Sequence, residues 1–279
     1  MISILLGLAA AFSWGAGDFS GGLASRKTGA YRTVVYGEAI GLILLLLFSL
    51  TGPQPLPDMT SWVYAVIAGA LGTAGILLLY TAMIEGKMSI AAPVSALLSA
   101  AVPVLVGIFT QGAPGLLTFI GFGFALTAVW LVSQNEDGIK DIFSHLADLR
   151  LPLLAGLGFG LYFTFMNLAS RHVIFWPIVA ARSSGLAVIA LFILFRRGEW
   201  RPSRAAWPFL ILNGTLDVGG NLFYVLAGQA GRLDVSAVLS SLFPGATVLL
   251  ASLILKERIS RTQWIGIAAA LIAIVLLTL

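Results

Sequence analysis

Long apolar runs alternate with short polar gaps along the whole chain. A membrane-crossing helix needs about 20 mostly apolar residues. Runs of that kind fall at 2–22, 31–50, 61–84, 88–110, 114–133, 151–169, 175–195, 207–229, 234–254 and 262–279, so ten spanning helices are expected. The breakers lie between them: Gly52 with Pro53, Pro55 and Pro57, then Gly112 and Pro114, then the polar stretch Gln134 to Lys140, then Arg196 to Arg204. Proline and glycine interrupt a helix, and charge belongs at the bilayer surface. Pro152, Pro177 and Pro208 fall near expected helix starts, where a missing N–H costs least. Pro93 and Pro103 in the fourth span and Pro244 in the ninth lie inside spans, and they predict paired kinks in these two helices.

Composition strengthens this picture. Hydrophobic residues make up 59% of the 279 and charged residues only 10%, with a mean hydropathy of +0.99, whereas soluble domains carry about 25% charged residues. Too few polar side chains remain to cover a water-facing surface, so the apolar excess must face lipid. The chain has no cysteine, which excludes disulfides, thiolate chemistry and cysteine metal sites. The net charge of +4 is dispersed over short gaps, a topology signal rather than a nucleic-acid surface. The first apolar run starts at Ile2 without a basic leader and continues into Trp14 and Phe19, so it is expected to stay as a helix rather than be cleaved as a signal peptide.

A repeat organises the ten spans. Shifting the chain by 145 residues aligns its halves from Leu8 onward without a gap, placing Trp62 on Trp207 and Ala24-Ser25-Arg26 on Ala169-Ser170-Arg171. The same shift places Gly15 on Gly160, Gly69 on Gly214, Gly75 on Gly220, Gly86 on Gly231 and Ser95 on Ser240. Two five-helix units are expected, 1–133 and 151–279, joined by a linker over 134–150. An odd number of spans returns the chain to the opposite face, so the second unit must be inserted upside down. Within the linker, Ile142, Phe143, Leu146 and Leu149 follow helical spacing and predict a short helix lying at the interface. Thirteen of the sixteen Lys and Arg fall in the loops 1–2, 3–4, 5–6, 7–8 and 9–10, while the opposite face holds Arg171 and Arg232. That bias places both termini outside and the basic loops in the cytoplasm, as for a multi-pass protein of a plasma membrane, here expected to be a prokaryotic inner membrane.

Three motifs add a family resemblance: Trp14-Gly15 in the first span, the pattern Gly231, Ala237, Leu239, Ser240 and Pro244, and Lys256-Glu257-Arg258-Ile259-Ser260 before the last span. With the repeat, they resemble the drug/metabolite transporter superfamily, in particular its ten-helix EamA-type permeases, over essentially the whole chain. The last motif is similar to that family's Gly-Glu-Arg-Leu turn, with Lys256 in place of glycine and Ile259 in place of leucine. The first unit carries Gly112 where Glu257 falls. The resemblance implies export or exchange of small metabolites by alternating access, with solute held between the halves.

Ionisable side chains inside a bilayer cost several kcal/mol and normally face a cavity or a partner. Four stand out inside spans: Asp18, Glu38, Arg182 and Asp217. Asp18 is either interfacial or a second proton carrier. Burial penalises the charged form of Glu38 unless a cation sits close by, so it is a candidate for proton coupling or for pairing with arginine. Arg182 and Asp217 lie on spans running in opposite directions and are expected to pair, as a structural lock or as a pair that opens to substrate. Asn213, Asn221 and Tyr224 lie at −4, +4 and +7 from Asp217, a polar stripe that faces either a cavity or a neighbouring helix, the cavity being favoured. Asn167 and Tyr80 are companions on the sixth and third spans. Trp14, Tyr162, Phe163 and Trp130 offer ring faces for an organic cation or ordinary packing, and Trp62, Trp207 and Trp264 fall where interfacial anchors belong.

The candidate substrate-binding set is therefore Glu38, Arg182, Asp217, Asn221, Tyr80, Trp14, Asn167, Tyr162 and Tyr224, with Glu38 and Asp18 for proton coupling and no cofactor or metal. Acids and an arginine together suit an amino acid or similar zwitterion, moved with or against protons. An exporter of cationic drugs or polyamines is the alternative within transport. A membrane enzyme or lipid flippase is the alternative outside it, although His145 and His172 both fall in expected loops and no nucleophile motif is present. Partners are a small-molecule substrate, the lipid bilayer and protons. A second copy is not required, since one chain already holds both halves.

Overall fold

The computed structural model describes residues 1–49, 55–85, 88–132, 149–196, 199–256 and 258–278, without the side chains of residues 49, 80–85, 88–93 and 196. The described elements are helical: α1 (Ile2–Thr28), α2 (Ala30–Ser49), α3 (Met59–Glu85), α4 (Met88–Gln111), α5 (Leu116–Val132), α6 (Arg150–Ala169), α7 (Phe175–Arg196), α8 (Trp207–Ala230), α9 (Leu233–Ser240), α10 (Phe243–Leu255) and α11 (Arg261–Thr278). Helices suit these sequences because lipid offers no partner to a backbone N–H or C=O, and a helix satisfies both within itself. Taken together, α9 and α10 form the ninth span, Leu233–Leu255. Ten spans in two inverted five-helix units are the architecture.

Local chemistry sets the helix ends. At the end of α1 the N–H of Gly29, at φ 89°, donates to Ser25 O at 2.8 Å. Arg26 and Lys27 in the last turn of α1 face its negative dipole end. Asp58 begins α3, its Oδ1 accepting the Ser61 N–H at 3.0 Å. α8 instead carries Pro208 in its first turn, where proline is tolerated.

The repeat recurs as packing. α1 lies along α8 as α3 lies along α6, α2 meets α8 as α7 meets α3, and α5 pairs with α11. Glycines make these approaches possible, because a side chain would collide with backbone. A Cβ on Gly69 would run into the Ala181 carbonyl oxygen and the Ser184 hydroxyl, and one on Gly214 would lie 2.8 Å from the Gly37 oxygen. Gly75 receives the Phe159 ring and its counterpart Gly220 receives the Trp14 ring, and the repeat shift that pairs the glycines also pairs the two aromatics. The main core gathers Phe163, Met166, Ile178, Val179, Val218 and Tyr224 from α6, α7 and α8 around Trp14 and Tyr162. Outward-facing Phe109, Phe195 and Leu253 are largely exposed, as lipid-facing side chains should be. Trp207 and Trp264 are exposed at the starts of their spans, whereas Trp62 instead packs against Trp176, ring centroids 6.2 Å apart.

The two proline-bearing spans differ in continuity. α4 continues through Pro93 and Pro103 without a break, while the ninth span breaks between Ser240 and Phe243. Pro244 falls in the first turn of α10, so its missing N–H costs no helical bond there. The break is a tightened turn: Ser241 N donates to Ala237 O at 2.9 Å, Leu242 N to Leu239 O at 3.2 Å and Gly245 N to Leu242 O at 2.9 Å. The backbone thus stays satisfied at membrane depth. Past the break the two elements diverge: α9 packs against both α4 and α1, whereas among the described residues α10 packs against α1 and α5. α10 has no buried residue, and open space lies beside Gly245. The interfacial helix expected over 141–150 lies outside the described residues up to Asp148, as does Glu257.

Candidate functional site

Three helices bring opposite charges together. Glu38 projects from α2, Arg182 from α7 and Asp217 from α8. Arg182 Nη1 donates to Glu38 Oε2 at 3.0 Å, and Arg182 Nη2 donates to Asp217 Oδ2. Exposure rises across the cluster, from 5% for the arginine side chain through 15% for Glu38 to 35% for Asp217. Burial of a guanidinium alone would be costly, and two carboxylates offset that cost. The ion pair therefore links the first unit, through Glu38, to the second.

Space for the guanidinium comes from a glycine that the sequence reading missed. A Cβ on Gly41 would lie 2.8 Å from Arg182 Nη1, 3.0 Å from Arg182 Cζ and 2.9 Å from Val218 Cγ2. The signal was present, since Gly41 lies one helical turn after Glu38 and shares its face. Arg182 Nε is buried and has no hydrogen-bond partner among the described residues. On the other flank, Asn221 Nδ2 donates to the Asp217 backbone oxygen at 2.7 Å and approaches Asp217 Oδ2 at 3.4 Å. Its Oδ1 accepts from the Tyr162 hydroxyl. Asn221 thus connects Asp217 of α8 to Tyr162 of α6.

Aromatic rings adjoin the charges. Trp14, Phe163 and Tyr224 stack in a triangle with centroids 5.4, 4.9 and 5.8 Å apart, and Tyr162 lies 5.7 Å from Phe163. Asp18 is exposed on α1 within Coulombic range of Asp217. Two carboxylates therefore hold one arginine and a third lies near Asp217, leaving negative charge in excess when all are ionised.

Not every expected residue joins this cluster, and the polar stripe on α8 divides. Tyr224 is 1% exposed and its hydroxyl donates to Phe163 O at 2.8 Å, so it serves the core. Asn213 Nδ2 donates to Gly17 O at 2.9 Å, and its Oδ1 fills the space beside Gly37, which stitches α8 to α1 and α2. Helix-to-helix bonding thus accounts for both ends of the stripe, and only Asp217 and Asn221 at its middle adjoin the charge cluster. The Asn167 amide packs against Gly228, two helical turns beyond Asn221. The side chain of Tyr80 lies outside the described residues.

The charge cluster departs from the repeat. The shift that superposes the scaffold glycines places Arg182 on Gly37, Asp217 on Gly72, Glu38 on Ser183 and Asp18 on Phe163. Packing is duplicated and charge is not.

The sequence matches the EamA-like transporter family over residues 1–134 and 149–279. The chain belongs to that family. It is therefore a membrane transporter, and its charge cluster lies between two copies of the family's unit. An uncharacterized protein of Methanocaldococcus jannaschii is 30% identical over 135 residues, which cover 48% of this transporter and 98% of that relative. The relative is thus about one repeat unit long. A solved crystal structure of another protein shares the fold at a TM-score of 0.81, with 18% identity over 99% of this transporter and 96% of that chain.

Proposed function

We propose that this transporter exports amino acids or similar zwitterions by alternating access, in exchange for protons taken up at Glu38. The observation that carries the reading is the buried Arg182 held between Glu38 of the first unit and Asp217 of the second. A zwitterion brings one carboxylate and one ammonium, which can replace both kinds of partner in that cluster. The unpartnered Arg182 Nε offers a further donor to a carboxylate. Trading the interunit pair for solute contacts couples occupancy to the relation between the halves, which alternating access requires. The Lys/Arg bias supports an orientation with both termini outside a prokaryotic plasma membrane.

One observation favours a second reading. Both terminal nitrogens of Arg182 already carry carboxylates, and acids outnumber the cation around them. A cationic drug or polyamine exporter would use that excess and leave Arg182 structural.

Uptake into proteoliposomes of labelled amino acids and organic cations, with and without an imposed pH gradient, tests both. The expected outcome is gradient-dependent amino-acid movement that Glu38→Gln abolishes. Gradient-dependent movement of cations alone would favour the second reading. Amino-acid movement indifferent to the gradient would remove proton exchange, and a covalently altered solute would point to an enzyme instead.

A further inference from the structure

At the end of the bilayer that holds the termini, a second contact joins the two units. Arg232 lies in the turn between α8 and α9. Its Nε and Nη2 donate to both oxygens of Asp234, at 3.0 Å to Oδ1 and 2.7 Å to Oδ2. The pair is local, two residues apart, and by itself would only cap α9. The remaining N–H groups of the guanidinium reach the other unit, however: Nη1 donates to Gln111 O at 3.2 Å and Nη2 to Gly112 O at 2.7 Å.

Those two carbonyls are at the end of α4, where a helix leaves its last oxygens without internal partners. A cation there also opposes the negative end of the helix dipole. Gln111 returns the contact, its Oε1 accepting the Leu233 N–H at 3.1 Å. Asp234 is fully buried, and a Cβ on Gly107 of α4 would lie 2.9 Å from Asp234 Cβ. The first turn of α9 is therefore seated in α4 and tied to it by charge. Beyond the break at Ser240–Phe243 the ninth span leaves α4, so the two elements meet at this end and diverge toward the basic loops.

We propose that Arg232 and Asp234 form a gate latch that holds the termini-side exit shut by gripping Gln111 and Gly112, and that solute leaves on this side only after the grip releases. The repeat shift places Lys87 and Ser89 at the positions of Arg232 and Asp234, so the first copy carries no acid at the counterpart of Asp234. The latch favours the state closed on the termini side, and weakening it shifts the population toward the open one.

The test needs no substrate, so it stands apart from the identity of the solute. The chain has no cysteine, which allows spin labels on Gly115→Cys, where a Cβ meets nothing within 4 Å, and on exposed Ala230→Cys. Distances between them are read by pulsed electron resonance on the full-length protein in lipid nanodiscs. A dominant short distance is expected in the parent. Asp234→Asn should raise a longer-distance population on the order of tenfold, the weight of a charge-assisted contact, and Gln111→Ala should shift it the same way by less. Exchanging the pair, Arg232→Asp with Asp234→Arg, keeps the local attraction but turns a carboxylate toward the α4 carbonyls, so it should not restore the short distance. Unchanged distances in Asp234→Asn and Gln111→Ala would overturn the proposal, as would full restoration by the exchange. Should Asp234→Asn fail to fold, Gln111→Ala decides alone.

Discussion

Arg182 is a buried cation that ties Glu38 to Asp217 and, on the proposed reading, also receives solute. Removing it strands Glu38 and Asp217 against one another in a poorly hydrated place, a change of the kind that costs about 3 to 5 kcal/mol. Removing all three charges together strands nothing. Arg182→Ala should therefore lower the thermal midpoint more than the triple change Glu38→Gln, Arg182→Met, Asp217→Asn, while both abolish transport. Thermal unfolding monitored in detergent, beside proteoliposome uptake, checks the pair of outcomes. Gly41→Ala probes the same centre from its rim: its Cβ would press on the guanidinium and on Val218, so uptake should fall several-fold with a stability loss of about 1 to 3 kcal/mol. The pairing of Arg182 with Asp217 could be anticipated from span direction. That Glu38 shares the same arginine could not, because sequence distance says nothing about which faces of α2 and α7 meet. Tyr224 and Asn213 misled for a related reason: a polar side chain at helical spacing has the same signature whether it faces a cavity or another helix's backbone.

Glycine positions carry the argument for whole helices. A side chain on Gly69 meets the backbone of α7 at Ala181, and backbone cannot move aside as a flexible side chain can. Gly69→Val should separate α3 from α7 and cost about 3 kcal/mol, and Gly214→Val should do the same to α8 and α2. Gly245→Ala meets open space and should leave the unfolding midpoint nearly unchanged, which makes it the control. Ends of helices respond to pH instead. Hydrogen bonds from the Ser61 hydroxyl and N–H hold the Asp58 carboxyl below the usual range, so its contribution is present above the unfolded value of about 3.9 and is lost as pH falls through the lower, folded value. Protection of the Ser61 amide, taken relative to the intrinsic exchange rate at each pH, should fall over that acid range and stay constant between about pH 6 and 8. Span positions were legible because a twenty-residue apolar run has few other uses. The break in the ninth span was not, since Pro103 and Pro244 look equally disruptive in sequence and differ only in where each falls within its helix.

For the whole molecule, the inverted repeat was readable from Trp62 on Trp207 and the shared Ala-Ser-Arg triplet, and it reappears in the glycine contacts of both units. The contacts across α4 and α9 were not readable, because Arg232 and Asp234 look like an ordinary loop pair until α4 is placed beside them. These contacts and the Arg182 cluster tie the same two units at different depths. Weakening either should loosen the closed state, and weakening both should have more than the larger single effect if they act on one rigid-body equilibrium. Spin-label distances for Asp234→Asn, Glu38→Gln and their combination check this.

A duplicated scaffold invites the expectation of duplicated work, but Gly37, Gly72 and Ser183 stand where the second set of charges would have to be. The consequence is stoichiometric. On the proposed reading one chain, with two copies of its frame, has one place among the described residues where solute and arginine trade partners, so a binding titration should saturate at one solute per polypeptide.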